Sequence, residues 1–158
     1  MGYKYGIITF LLDVLKVVLA MWVTHYLFYS HFSYQIYSGL FAVIGHIFPF
    51  YLNFKGGKGV ASFLGIYVGL DYEFGVALGV ALFLLTLIIN YIGLTGIIFY
   101  LLNPFLMFYL TKSLPIAVAT SFVCLIGLHK HRENIYNIYK KKEIGIREFI
   151  YEKIIKGN

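Results

Sequence analysis

Charge is what this sequence has least of. Asp, Glu, Lys and Arg make up 13% of its 158 residues, hydrophobic residues make up 60%, and the mean hydropathy is +0.79. Soluble domains carry about a quarter charged residues, so a water-soluble fold is disfavoured at the outset. Cysteine is nearly absent. Cys124 stands alone, which rules out an internal disulfide and a thiolate zinc cluster; in its apolar run it reads as a packing residue, and no metal site or cofactor is expected. Acidic residues are few, seven against thirteen Lys and Arg, for a net charge of +6. In so apolar a chain that excess reads as the positive-inside rule and attraction to anionic lipid rather than as a nucleic-acid surface. A cleavable signal is not expected either. The apolar run from Gly6 contains Asp13 and Lys16 and is followed by no small-residue cleavage pattern.

What is present is a series of long apolar runs. A hydrocarbon core about 30 Å thick needs about 20 helical residues. Gly6 to Phe28 meets that length, Ser30 to Gln35 reads as a polar connection, and Ile36 to Phe54 is a second span broken near its end by Pro49. Val60 to Leu70 is apolar but short, and Asp71-Tyr72-Glu73 marks a polar boundary. Phe74 to Ile89 follows, then a break from Asn90 to Gly96, then Ile97 to Leu110 and Leu114 to Leu128. The expected fold is all-α: an integral membrane bundle of about six transmembrane helices. Alternating passage places Lys4, Lys55, Lys58 and the eight basic residues from Lys130 onward on one side, the cytoplasm, and leaves only Lys112 outside. After Gly145, Ile146, Phe149, Ile150 and Ile154 recur at helical spacing among Arg147, Glu148, Glu152, Lys153 and Lys156. That is an amphipathic cytoplasmic helix, lying in the interface or packed on the bundle. Fifteen Tyr and fifteen Phe suit interfacial belts and packing better than a ligand cage.

Three polar constellations interrupt the apolar background. Gly45-His46-Ile47-Phe48-Pro49 leads into Phe54-Lys55-Gly56-Gly57-Lys58-Gly59-Val60. Glycines let consecutive N–H groups turn toward one anion, a helix starting at Val60 adds its positive end, and Lys55 and Lys58 add charge. Gly59 after Lys58 and Leu52 upstream rule out a Walker A loop. A flexible basic turn explains the same residues equally well. His129-Lys130-His131-Arg132-Glu133-Asn134 closes the last apolar run. On a helix His131 and Asn134 share a face, able to hold one hydroxyl or phosphate, with His131 as a base; an ordinary basic flank is the plainer account. Asp13 and Lys16, one turn apart inside the first span, read as a structural ion pair.

These residues resemble a family. Gly45-His46-x-Phe48-Pro49 with Phe54-Lys55-Gly56-Gly57-Lys58-Gly59-Val60-Ala61 is similar to the second signature of the acyl-phosphate:glycerol-3-phosphate acyltransferases (PlsY), and His131-Arg132-x-Asn134-Ile135 to the start of the third. Asp13-x-x-Lys16 fits the same order. The resemblance implies one membrane-embedded acyltransferase-like domain over 1–158, in a bacterial inner membrane with its active face cytoplasmic. It implies acyl transfer from acyl phosphate to the 1-hydroxyl of glycerol 3-phosphate, giving lysophosphatidic acid. Lys55, Gly56, Gly57, Lys58 and Gly59 would hold phosphate. His131, Asn134 and Lys58 would be catalytic, with His46, Asp13 and Lys16 in support. Membrane lipid is a further partner, and either His131 or the departing phosphate would serve as base.

The sequence also departs from the family pattern. The first signature, resembling Ser-x-Gly-Asn-x-Gly-Ala-Thr-Asn with an Arg after it, is absent from these residues, and Met1 to Gly6 resembles the stretch that follows it. Lys141-Lys142-Glu143 stands where Gly-Thr-Glu is usual, and the Arg and Ser usual near Asn90 to Gly93 are missing. Three readings stay open: an acyltransferase with substitutes, one completed by a second membrane chain, or a non-catalytic paralogue that binds acyl phosphate, lipid or a partner protein.

Overall fold

The computed structural model describes residues 3–29, 32–143 and 145–151. They form helices α1 (Tyr3–Leu27), α2 (Phe32–Ile47), α3 (Val60–Leu70), α4 (Tyr72–Ile89), α5 (Ile92–Thr111), α6 (Leu114–Lys130), α7 (Arg132–Tyr139) and α8 (Ile146–Ile150). A 3-10 turn over Phe50–Leu52 follows α2. The six apolar runs all become helices, α1 to α6. Four of them, α1, α4, α5 and α2 with its following turn, are long and apolar enough to cross a membrane. The α6–α7 pair, bent by 41°, makes a fifth. α3 does not reach that length.

α3 occupies the middle because it is apolar on every side. Ser62, Phe63, Leu64, Gly65, Ile66 and Tyr67 are consecutively buried, enclosed by α1, α2, α4 and α5. Small residues set the distances: a side chain on Gly65 would strike Val14 and Val17 of α1, and one on Gly75 would strike the Val68 backbone. Gly79 likewise faces Leu64, so α3 and α4 run antiparallel from the shared Asp71 turn, with Val60 level with about Phe83. Asp71 fixes that turn by accepting the Phe74 N–H at 3.0 Å. Inside, Phe63 meets Phe99 and Tyr100 edge-on at 6.0 and 5.8 Å. The outside is apolar too: Leu11, Phe41, Leu102, Phe105 and Phe122 are exposed, as lipid contact requires.

Several boundaries differ from the sequence reading. The second span was expected to run to Phe54, but α2 stops at Ile47. Beyond Pro49 the chain folds back through left-handed Asn53 and Phe54 (φ 50° and 58°), and the Gly56 N–H returns to the Ile47 carbonyl at 3.2 Å. The Ser30 to Gln35 connection is shorter than expected because α2 begins at Phe32, with Gln35 bonded to His25 at 2.6 Å across the hairpin. Ser30 and His31 lie outside the described residues. The Asn90 to Gly96 break shrinks to left-handed Asn90 (φ 71°) and Tyr91. Among the described residues of the tail Ile146–Ile150 form α8, and Glu152, Lys153, Ile154 and Lys156 lie outside the described residues.

Candidate functional site

One cleft of about 690 Å³ opens at the end of the bundle where α2 finishes and α3 and α5 begin. The Gly56–Gly59 loop is part of its wall, and Lys58, His131, Asn134, His46, Asp13 and Lys16 line it as well. Residues spread from 13 to 134 in the sequence are therefore brought together. Lys55 is not among them. It is exposed on the preceding bend, its N–H bonded to the Leu52 carbonyl.

The backbone of the loop is less left-handed than a run of glycines allows. Only Gly59 is left-handed (φ 88°), where it starts α3. At Gly56 a Cβ would collide with the His46 and Ile47 carbonyls and with Pro49, and at Gly57 it would occupy the place of the His46 imidazole. Close approach, rather than a run of positive φ, requires glycine at 56 and 57. Because the Gly56 N–H is committed to Ile47, it is not available to an anion. Among the described residues, the N–H groups of Gly57, Lys58 and Gly59 have no hydrogen-bond partner, and α3 begins directly behind them, its N-terminus without a side-chain cap.

Lys58 is tied to the opposite wall. Its Nζ donates to Asn134 Oδ1, and Asn134 Nδ2 donates to Glu143 Oε1 at 2.5 Å. The Lys58 carbonyl accepts from Tyr100 Oη at 2.8 Å, and the Tyr100 ring stands edge-on to His131 at 5.7 Å. His131 ends α6 and is also the N-cap of α7, its carbonyl accepting the Ile135 N–H at 3.1 Å, so His131 and Asn134 share the first turn of α7 just after the bend. A carbonyl can only accept, so His131 Nδ1 donates to Gly127 O at 2.8 Å, and in the neutral ring Nε2 keeps a lone pair. Gly93 and Gly96 at the start of α5 leave the space that Asn134 and His131 fill. On the other wall, Lys16 Nζ is 2.5 Å from Asp13 and 2.6 Å from His46 Nδ1, with Asp13 3.2 Å from the same nitrogen. This is a three-membered cluster, where sequence alone pointed to a pair.

Glu143 and Tyr100 were not singled out by the sequence reading as functional residues. Glu143 carried a signal as the unchanged last residue of an altered signature. Tyr100, inside an apolar run, carried none. Held this way, the cleft offers free N–H groups, two ammonium groups and a lone-pair imidazole, enough to bind an anionic leaving group and to accept a proton.

The glycerol-3-phosphate acyltransferase family model matches residues 1–141. A glycerol-3-phosphate acyltransferase of Prochlorococcus marinus (strain NATL1A) is 40% identical over 147 residues, covering 90% of this chain and 73% of that protein. One from Histophilus somni (strain 129Pt) is 34% identical over 142 residues, covering 89% and 72%. Among solved structures, the crystal structure of PlsY (YgiH), an integral membrane glycerol 3-phosphate acyltransferase in its glycerol 3-phosphate form, superposes with a TM-score of 0.75 at 27% identity, covering 92% of this chain and 72% of that one. The lysophosphatidic acid form gives 0.73 over 90% and 72%.

Proposed function

Because this chain belongs to the glycerol-3-phosphate acyltransferase family, we propose that its cleft transfers an acyl group from acyl phosphate to the 1-hydroxyl of glycerol 3-phosphate. The hydroxyl oxygen bonds to the acyl carbon, the bond from that carbon to phosphate oxygen breaks, and lysophosphatidic acid and inorganic phosphate leave. The observation that carries this reading is the chain Lys58–Asn134–Glu143 with His131 beside it, which joins the glycine loop to α7 across the cleft. Gly57, Lys58 and Gly59 hold the phosphate, while Lys58 stabilises charge as it departs. His131 Nε2 takes the hydroxyl proton, its orientation fixed by Gly127. The donor is already activated, so alignment supplies much of the rest. The site opens to the cytoplasmic face of a bacterial inner membrane, the side on which the basic residues gather.

A second reading has its own observation. Among the described residues lining the cleft there is neither an arginine nor a serine, so glycerol 3-phosphate, small and strongly anionic, finds few directed donors. On this reading the 158 residues bind acyl phosphate, and a second membrane chain supplies the remaining donors. Purified chain in lipid nanodiscs, given palmitoyl phosphate and glycerol 3-phosphate, separates the two. Two missing charge-assisted bonds, at about 1.5–3 kcal/mol each, would slow transfer by roughly two to four orders of magnitude at about 1.4 kcal/mol per tenfold. On the second reading turnover is therefore negligible while acyl phosphate still binds. Robust turnover that His131→Ala abolishes would show that the cleft suffices by itself. Failure to bind acyl phosphate at all would defeat both readings.

A further inference from the structure

His46 has two neighbours competing for one nitrogen. Lys16 Nζ stands 2.6 Å from Nδ1 and the Asp13 carboxylate 3.2 Å from it. An ammonium has three donors and no acceptor, so at 2.6 Å the bond must run from Lys16 to a bare Nδ1. Asp13, 2.5 Å from Lys16, balances the ammonium charge and keeps Lys16 in place. A ring with a bare Nδ1 is neutral and carries its hydrogen on Nε2. That edge faces the loop, since the atom nearest a Cβ built on Gly57 is His46 Nε2, and both residues line the cleft. His131 is set the other way, with Nδ1–H on the Gly127 carbonyl and Nε2 bare.

We infer that the two cleft histidines are held in opposite tautomers, and that His46 is a neutral donor to an anion oxygen seated on the Gly57–Gly59 loop. Lys16 is the positioning residue that sets this tautomer. The inference rests on the loop being a phosphate site. Its logic is a division of labour: one imidazole donates to the phosphate, the other accepts the proton of the hydroxyl. Without Lys16, Nδ1 would take the hydrogen and give it to Asp13, and Nε2 would turn a lone pair toward the anion.

The test uses the whole chain in lipid nanodiscs with 15N-labelled histidine, the rings assigned from His46→Gln and His131→Gln. Expected are a protonated Nε2 on His46, a protonated Nδ1 on His131, and a His46 Nε2 resonance that moves when inorganic phosphate is added. Lys16→Met should reverse the His46 tautomer and weaken phosphate binding about tenfold or more. In His46→Gln the amide nitrogen reaches the place of Nε2 and should keep binding within a few-fold. His46→Asn, too short to reach it, should lose about tenfold or more. A protonated Nδ1 on His46 in the unsubstituted chain would overturn the inference whatever phosphate does. The expected tautomers with His46→Asn binding phosphate normally would overturn the donor role. No phosphate binding by the unsubstituted chain would overturn the loop reading and the donor role with it, while the nitrogen spectrum still decides the tautomers.

Discussion

At the scale of single residues, the glycines carry the sharpest consequences. Gly57→Val should abolish binding of inorganic phosphate and acyl phosphate while leaving the bundle folded, because the new side chain and His46 compete for one volume. Ligand-induced thermal stabilisation checks this, and unchanged stabilisation would reduce the loop to a turn. Gly56→Ala should be worse for folding, since its Cβ meets backbone carbonyls that cannot rotate away. Asn134→Ala leaves both Lys58 and Glu143 without a partner in the cleft. Lys58 is exposed and Glu143 half-buried, so water can satisfy them in part and each lost bond costs about 1 kcal/mol; this variant should melt measurably lower and lose transfer activity together. A fall in activity with no change in melting would show that Asn134 acts on substrate alone.

Among the elements, α5 and the segment after α7 hold the site rigid. Tyr100 reaches from α5 to the Lys58 carbonyl and stands against His131, so Tyr100→Phe should cost about 1 kcal/mol, or a few degrees in melting temperature. It should also weaken phosphate binding by loosening the loop; wild-type phosphate affinity in that variant would show the brace is not needed. Arg147 clasps the end of α4, bonding the Leu87 carbonyl at 2.8 Å while its N–H meets Asn90 Oδ1 at 2.9 Å. The clasp lies close after Glu143 in the chain.

The sequence made this level legible only in part. Apolar length and polar punctuation located all six apolar helices, and Val60–Leu70 was read to the residue because glycines stop on one side and Asp71 caps the next helix on the other. The chain reversal after Pro49 was not legible. It depends on Asn53 and Phe54 adopting left-handed backbone and on Gly56 returning to Ile47, a contact across the turn that no periodicity records. The loop, His131 and Asn134 were found through motif and charge. Tyr100 escaped because its function depends on a neighbour 42 positions away in the sequence.

For the whole molecule, the chain spans 72–73% of the length of the relatives described above, and its position in the membrane can be tested directly. Placing both ends and the Lys55–Gly59 loop on the cytoplasmic side leaves only Lys112 among the basic residues outside. Lys58→Cys in intact cells should resist a membrane-impermeant thiol reagent and label after permeabilisation; strong labelling before permeabilisation would invert the topology.

The shortness of α3 has an electrical consequence. α3 and α4 leave the same Asp71 turn side by side, but α4 continues past the level of Val60 through Leu84–Ile89, about 9 Å at 1.5 Å per residue. α4 is itself about as long as the hydrocarbon core is thick, so with α4 spanning that core the glycine loop is recessed below its cytoplasmic face by roughly a third of the thickness. An anion that binds there crosses part of the transmembrane field. At about 2.3 kcal/mol per charge per 100 mV, a doubly charged phosphate crossing a third of the field gains about 1.5 kcal/mol when the side it enters from is negative. Phosphate affinity in sealed proteoliposomes should therefore tighten about tenfold for each 100 mV of that polarity. The energised membrane would then help to load the site.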